Sequence, residues 1–200
     1  MQDKNVRQLS TLSTISYYYD RQAAATYADD HVYHYCGCDY NTYPYYPDSY
    51  NPCYVNMAST GGDCANYVSQ CLLTGGQPRV FDDGTYPTGI NPWYYKNNGD
   101  CNTSGDKWNS AWTYAPTLYN TVIASKRGTD ESYSIVTIGD IAFWNGDGYH
   151  GHAVFVVQSG NSSNPPLYDS HNNDRWHYPL SNSSYWSYVW IYGGPQSINY

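Results

Sequence analysis

The first third of the chain carries apolar residues at spacings of three and four, which is the period of an amphipathic helix. We predict a helix over residues 6–34, broken at most once. A second helix is predicted over 63–73, and Gly75 and Gly76 end it. A short third helix is predicted over 113–125, where an apolar face recurs.

The period changes to two in the last third of the chain, as expected for strands. Segment 152–158 (HAVFVVQ) is the strongest strand, and its continuous apolar run predicts burial on both faces. Further strands of a C-terminal sheet over 135–192 are predicted at 135–144, 167–171 and 185–192. Helices that precede an antiparallel sheet are typical of an α+β fold. Because no repeat or linker divides the chain, we predict one domain over residues 1–200.

Composition narrows the classes of function. Asp and Glu number 17 against 9 Lys and Arg, for a formal net charge of −8. This balance excludes the basic surface of a nucleic-acid-binding protein. No apolar run approaches the roughly 18 residues that a membrane-spanning helix requires. Tyrosine supplies 26 of the 200 residues, so the surface is aromatic and hydrogen-bonding, which suits an extracellular protein that meets glycans or peptides.

The number of cysteines is typical of an oxidising compartment rather than of a reducing cytosol. The six are Cys36, Cys38, Cys53, Cys64, Cys71 and Cys101. We therefore expect a secreted or cell-wall protein whose leader peptide has been removed from this numbering. The sequence does not indicate the oligomeric state.

Candidate chemistry arises where the second helix meets the strongest strand. Cys64 opens the helix, where the helix dipole and unpaired backbone N–H groups favour a thiolate, so we expect an accessible thiol with a lowered pKa. His152 opens the strand and offers an imidazole to activate the thiol. The next strand offers Asp169, His171 and Asn172 to orient that imidazole. The alternative is that Cys64 forms half of a disulfide.

Residues 61–72 (GGDCANYVSQCL) carry the most distinctive motif of the chain. They resemble the Gly-Asp-Cys-x-Asn-aromatic-x-Ser-Gln motif of the putative amidase domain family of secreted bacterial proteins. That family looks like a branch of the papain-like superfamily, which includes the NlpC/P60 and CHAP cell-wall hydrolases. Further similar segments follow the family's order and extend the resemblance over most of residues 17–175. They lie at 19–28, 50–54, 93–96, 110–112, 139–140 and 151–156.

The resemblance implies a papain-like fold, in which the nucleophile helix packs on the antiparallel sheet. Cys64 matches the nucleophile and His152 the general base, in preference to His150. For the third catalytic position His171 ranks first and Asn172 second, while Asp169 stays open.

Aromatic residues supply further candidates around the same site. Tyr54 resembles the tyrosine that related hydrolases place beside the oxyanion hole, or else it is a packing aromatic. Trp93, Trp112 and Trp144 are candidates for a substrate groove, with a place in the core as the alternative for each.

The implied function is a secreted cysteine amidase or peptidase that cuts amide bonds in peptidoglycan peptides through an acyl-enzyme. The chemistry requires no metal or organic cofactor. Two alternatives stay open. One is a secreted cysteine protease or peptide-processing enzyme that acts on protein substrates, and the other is a catalytically silent glycan-binding module.

The remaining cysteines predict a disulfide framework. With Cys64 reserved for catalysis and Cys71 read as a small buried hydrophobe, four cysteines are left for two disulfides. A bond between Cys36 and Cys38 would close a small, strained ring, so we favour separate bonds that tie segment 36–62 to itself and to the loop at 101. A zinc site built from Cys36, Cys38, His31 and His34 is the less favoured alternative.

Overall fold

A computed structural model describes residues 14–32, 50–60, 62–81, 91–97, 99–172 and 174–199. The helices are α1 (Arg21–Asp30), α2 (Cys64–Thr74), α3 (Ser110–Thr113) and α4 (Ala115–Ala124). The strands are β1 (Thr14–Tyr19), β2 (Tyr95–Lys96), β3 (Lys107–Trp108), β4 (Gly128–Glu131), β5 (Ile141–Trp144), β6 (His152–Gln158), β7 (Leu167–Ser170), β8 (Arg175–Pro179), β9 (Trp186–Ile191) and β10 (Gly194–Asn199).

The structure is mixed α/β, and its main sheet is antiparallel. Among the described residues it contains six strands in the order β4-β9-β5-β6-β7-β8. β1 pairs with β10 and β2 with β3, both antiparallel. The C-terminal antiparallel sheet predicted from the period of two is therefore confirmed. None of the described helices is long and apolar enough to cross a bilayer.

The central strand β6 is buried on both faces, as its apolar run predicts. Ala153, Phe155 and Val157 face α1, α2 and α4 in the larger core. Val154 and Val156 face a second, smaller core on the other side of the sheet. β6 lies in the middle of the sheet, and its first residue, His152, lies at the margin of both cores.

Within the described residues, the predicted helix over 6–34 is confirmed over α1 and wrong before it. Residues 14–19 form β1, and α1 begins only at Arg21, after Asp20 caps it by accepting a hydrogen bond from the Ala23 N–H at 2.9 Å. The run of tyrosines at 17–19 is a strand that pairs with the C-terminal β10. Residues 6–13, 33 and 34 lie outside the described part of the chain.

The other boundaries differ from the sequence predictions by smaller shifts. α2 and β6 begin and end within one residue of their predicted limits. The predicted strand over 135–144 is shorter, because residues 133–135 form a 3₁₀ turn and Gly139 adopts a positive φ of 84°. The sequence reading missed β4 and β8, which are short and largely exposed.

Candidate active site

Helix α2 is buried from Cys64 to Leu72, although it carries several polar side chains. Buried polar groups require hydrogen-bond partners, and those of α2 find them on neighbouring elements. Tyr67 donates to the carbonyl of Ala28 at 2.8 Å, Ser69 donates to the carbonyl of Trp112 at 3.0 Å, and Gln70 accepts from Tyr27 at 2.6 Å. The polar residues of the motif therefore fix the position of the helix whose first residue is Cys64.

Asn66 makes the densest of these connections. Its amide nitrogen donates to the Val55 carbonyl at 2.9 Å and to Asp63 Oδ1 at 2.8 Å. Its amide oxygen accepts from the indole N–H of Trp112 at 2.8 Å. One side chain thus holds the segment before α2, the start of α2 and α3 together.

We expect Asn66→Ala to lower the free energy of unfolding by about 2–3 kcal/mol, because the buried groups it serves lose their partner. The variant is compared with Asn120→Ala, which removes an exposed amide from α4. Urea unfolding followed by circular dichroism gives both values. Equal stability of the two variants would contradict this account.

Asp63 precedes α2 and forms a buried pair with His171. Its Oδ1 accepts from the backbone N–H of Met57 at 2.7 Å, and its Oδ2 lies 2.6 Å from His171 Nδ1. His171 Nε2 lies 2.6 Å from the carbonyl oxygen of His31 and donates to it, because a carbonyl can only accept. Both ring nitrogens of His171 are therefore engaged away from His152.

The ring of His171 is also held on its two faces. The rings of Tyr50 and Tyr67 each lie 4.1 Å from it, centroid to centroid. The whole residue is only 1% exposed. His171 thus ties the end of β7 to the end of α1 and to the residue before α2, which is a positioning arrangement.

Cys64 is nearly buried at the start of α2, with 7% of the residue exposed. Burial raises the pKa of its thiol, and the charge of Asp63 acts in the same direction. Interaction of the thiol with the backbone N–H groups of Ala153 and Ala65 lowers this pKa and so opposes the rise. The expectation of an accessible thiol with a lowered pKa is therefore wrong for the resting structure, because desolvation outweighs the helix N-terminus.

His152 and Cys64 line the same cleft, which has a volume of about 450 Å³. Burial lowers the pKa of His152 to about 4, and the positive charge of Arg175 adds to the effect. The imidazole is therefore neutral at pH 7 and able to accept a proton. Within the described part of the chain no hydrogen bond reaches this ring, from Cys64 or from any other residue.

Asn172 lies at the same cleft. His152 begins β6 and Asn172 lies two residues after the end of β7, so the antiparallel pairing of these strands brings both residues to the same end of the sheet. Asn172 has a positive φ of 66°. A Cβ on Gly62 would lie 2.4 Å from its amide nitrogen, so the glycine allows Asn172 to pack against the chain just before Cys64.

Two other candidates lie away from the cleft. Asp169 is fully buried and accepts from the backbone N–H of His177 at 2.6 Å. Burial raises its pKa to about 8, and the charge of Asp29 also raises it. Tyr54 packs in an aromatic group, 4.9 Å from the ring of Tyr95 and 6.1 Å from that of Trp112.

The three candidate tryptophans separate into core and cleft. Trp93 and Trp112 are 1% and 0% exposed, and their indole N–H groups donate to Ser69 and Asn66. The expectation that these two line a substrate groove is thus corrected, because both fill the core. Trp144 is 41% exposed and lines the cleft.

Several residues of the cleft were not predicted from the sequence. These are Asp147, Gly151, Tyr168, Arg175 and Trp186. Trp186 pairs across the sheet with Trp144, a register that local pattern does not show. Arg175 follows closely on the HNND run at 171–174, and that proximity is the signal that could have found it.

His150 lies outside the cleft lining. It precedes β6 with a positive φ of 57°, and its ring stacks on Tyr119 at 3.9 Å. Its Nε2 lies 3.1 Å from Ser187 Oγ. His150 is not part of β6, which begins at His152.

The remaining cysteines agree with the expected framework where they are described. Cys53 and Cys101 form a disulfide, which ties the segment before α2 to the loop at 101. Cys64 and Cys71 are free thiols. Cys36, Cys38 and His34 lie outside the described residues, so the second disulfide stays a prediction.

Comparisons with known proteins agree with the motif. Residues 18–193 match the profile of the family described as Putative amidase domain. The chain is 28% identical over 144 residues to the Uncharacterized protein YhbB of Bacillus subtilis (strain 168). That stretch covers 69% of this chain and 39% of the relative, so the chain spans about two fifths of that protein's length. No solved structure matches the chain.

Proposed function

Because this chain belongs to the Putative amidase domain family, we propose that it hydrolyses amide bonds with Cys64 as nucleophile and His152 as general base. The observation that carries the proposal is the shared cleft, where a thiol at a helix N-terminus and a neutral imidazole lie together. The α2 helix packed against an antiparallel sheet is the arrangement expected of a papain-like fold, which is part of the same proposal.

The reaction begins from a neutral thiol and a neutral imidazole. His152 takes the thiol proton as Sγ attacks the carbonyl carbon of the substrate amide. The tetrahedral intermediate collapses, the C–N bond breaks, and His152 gives the proton to the leaving amine. A water molecule then attacks the thioester with His152 again as base, and a carboxylic acid leaves while the thiol is restored.

Backbone N–H groups make it easier for the buried thiol to lose its proton. Those of Ala65 and Ala153 lower the pKa of the thiol against the effect of burial. They stabilise the thiolate as it forms, and N–H groups at the start of α2 are suited to stabilise the oxyanion as well. The thiolate is thus generated during the attack rather than stored.

We assign the orienting position to Asn172 rather than to His171. Asn172 lines the same cleft as His152, at the same end of the β6–β7 pair. Both nitrogens of His171 are engaged by Asp63 and by the His31 carbonyl. His171 is therefore a positioning residue, which holds the start of α2 through its contact with Asp63.

The cleft is lined by one positive side chain, Arg175, and one negative side chain, Asp147, so we place a peptide carboxylate at the arginine. Arg175 supplies a cation, while Trp144 and Trp186 supply flat apolar surfaces. The peptides of peptidoglycan carry carboxylates and amide bonds, and we propose them as the substrate class. The Cys53–Cys101 disulfide supports a secreted or cell-wall location.

The experiment compares purified peptidoglycan with denatured protein as substrates, and mass spectrometry identifies the products. Release of peptides with a new carboxyl and a new amine from peptidoglycan supports the proposal. Cleavage of denatured protein alone would favour a secreted protease. Binding of peptidoglycan without any cleavage would favour a glycan-binding module.

The pH dependence of kcat/KM tests the state of His152. The base must be neutral, so protonation below its pKa of about 4 removes activity, and kcat/KM should rise through that pH and stay level to neutrality. Arg175→Gln removes a charge that lowers this pKa, so the acid limb should move to higher pH. An acid limb at the ordinary histidine value in both proteins would contradict the assignment.

A further inference from the structure

A second group of titratable side chains lies outside the cleft, where the end of α1 meets β7 and β8. It consists of Asp29, Asp169 and His177, and each offers one ligand atom within 4.8 Å of the other two. His177 Nε2 lies 2.6 Å from Asp29 Oδ1, and the backbone N–H of His177 donates to Asp169 Oδ1 at 2.6 Å. His177 has a positive φ of 47°, an uncommon conformation that places its backbone N–H and its ring in one group.

The central side chain of this group, Asp169, is deeply buried. Asp169 is 0% exposed, and its Oδ2 has no hydrogen-bond partner among the described residues. Its carboxyl group lies against that of Asp29. A buried carboxylate oxygen without a donor is costly, and a cation bound between the two carboxyl groups would give that oxygen a partner.

We propose that Asp29, Asp169 and His177 bind a divalent cation of the zinc class. Two carboxylate oxygens and one imidazole nitrogen are ligands that suit Zn²⁺, while Ca²⁺ and Mg²⁺ prefer oxygen alone. The side chains of His177 and Asp29 are 35% and 40% exposed. They give an ion from solvent a route to the buried oxygen of Asp169 and leave room for water as a further ligand.

The site has a structural role that is separate from amide hydrolysis. The three ligands come from α1, β7 and β8, and the connection from β7 to β8 carries Asn172 of the cleft. A bound ion would therefore fasten the turn beside the cleft to the end of α1. The ion takes no part in the reaction of Cys64, so its binding is measured without a substrate.

Co²⁺ is the probe, because its visible spectrum reports its ligands and it replaces Zn²⁺ in such sites. The full chain with Cys64→Ala is stripped with a chelator and titrated with Co²⁺, so that the cleft thiol cannot bind the ion. We expect one equivalent to bind, with d–d absorption and no thiolate charge-transfer band, and Zn²⁺ to displace it. The melting temperature should rise with Zn²⁺ and not with Mg²⁺.

Asp169→Asn and His177→Gln, each in the same background, should weaken Co²⁺ binding by about tenfold or more. Asp100→Asn, at an exposed carboxylate elsewhere, should leave it unchanged. Circular dichroism shows whether each variant is folded, and His177→Gln serves if Asp169→Asn does not fold. Absence of Co²⁺ binding, or binding that both folded variants retain, would overturn the proposal.

Discussion

Replacing Cys64 with alanine is expected to abolish amide hydrolysis, lowering kcat/KM by at least about 10³-fold. In the proposed reaction the thiol supplies the electron pair that attacks the carbonyl, and within the described residues of the cleft no other thiol lies beside His152. The measurement is the rate of release of new amines from purified peptidoglycan. The residue is 7% exposed and small, so the fold should survive the loss of its sulfur.

Cys71→Ala is the matched control, because it removes the other free and buried thiol of α2. It should retain the wild-type rate once its stability has been checked by thermal unfolding. Activity of Cys64→Ala close to wild type would contradict the nucleophile assignment. Binding of peptidoglycan that persists in this variant without turnover would agree with it.

His152→Ala is expected to lower kcat/KM by about 10²–10⁴-fold, because the thiol of Cys64 then has no base to take its proton. The effect should be specific to this histidine. His150→Ala should stay close to the wild-type rate, since His150 stacks on Tyr119 away from the cleft. A dead His150 variant beside an active His152 variant would reverse the assignment.

Asn172→Ala provides a graded companion to His152→Ala. The base remains in place, but the neighbour proposed to orient it is gone, so the loss should be smaller than that of His152→Ala. His171→Ala should instead lower stability, because Asp63 and the His31 carbonyl lose a buried partner. Urea unfolding and peptidoglycan hydrolysis, measured on both variants, separate the two roles.

The elements that carry the site could be predicted because their signals are local. α2 has a helical period and a glycine pair at its end, and β6 has a continuous apolar run. Each pattern is decided by neighbours along the chain. Cys64 and His152 could therefore be placed at the first residues of these elements from the sequence.

The features that the sequence reading missed depend on contacts between distant parts of the chain. β1 exists because it pairs with β10, although its residues continue into a helical pattern. The local sequence does not distinguish Trp93 and Trp112 from Trp144. Only the packing of distant elements buries the first two in the core and leaves Trp144 exposed in the cleft. The raised pKa of Cys64 likewise comes from burial under the sheet, whereas the helix N-terminus alone predicts the opposite.

The most direct test of the central claim is to trap the acyl-enzyme. Wild-type protein is acid-quenched during turnover of a soluble peptidoglycan peptide, digested and analysed by mass spectrometry. The account predicts a thioester on the peptide that contains Cys64 and its absence from Cys64→Ala. Continued turnover with no adduct on Cys64, and an unchanged rate in Cys64→Ala, would contradict it.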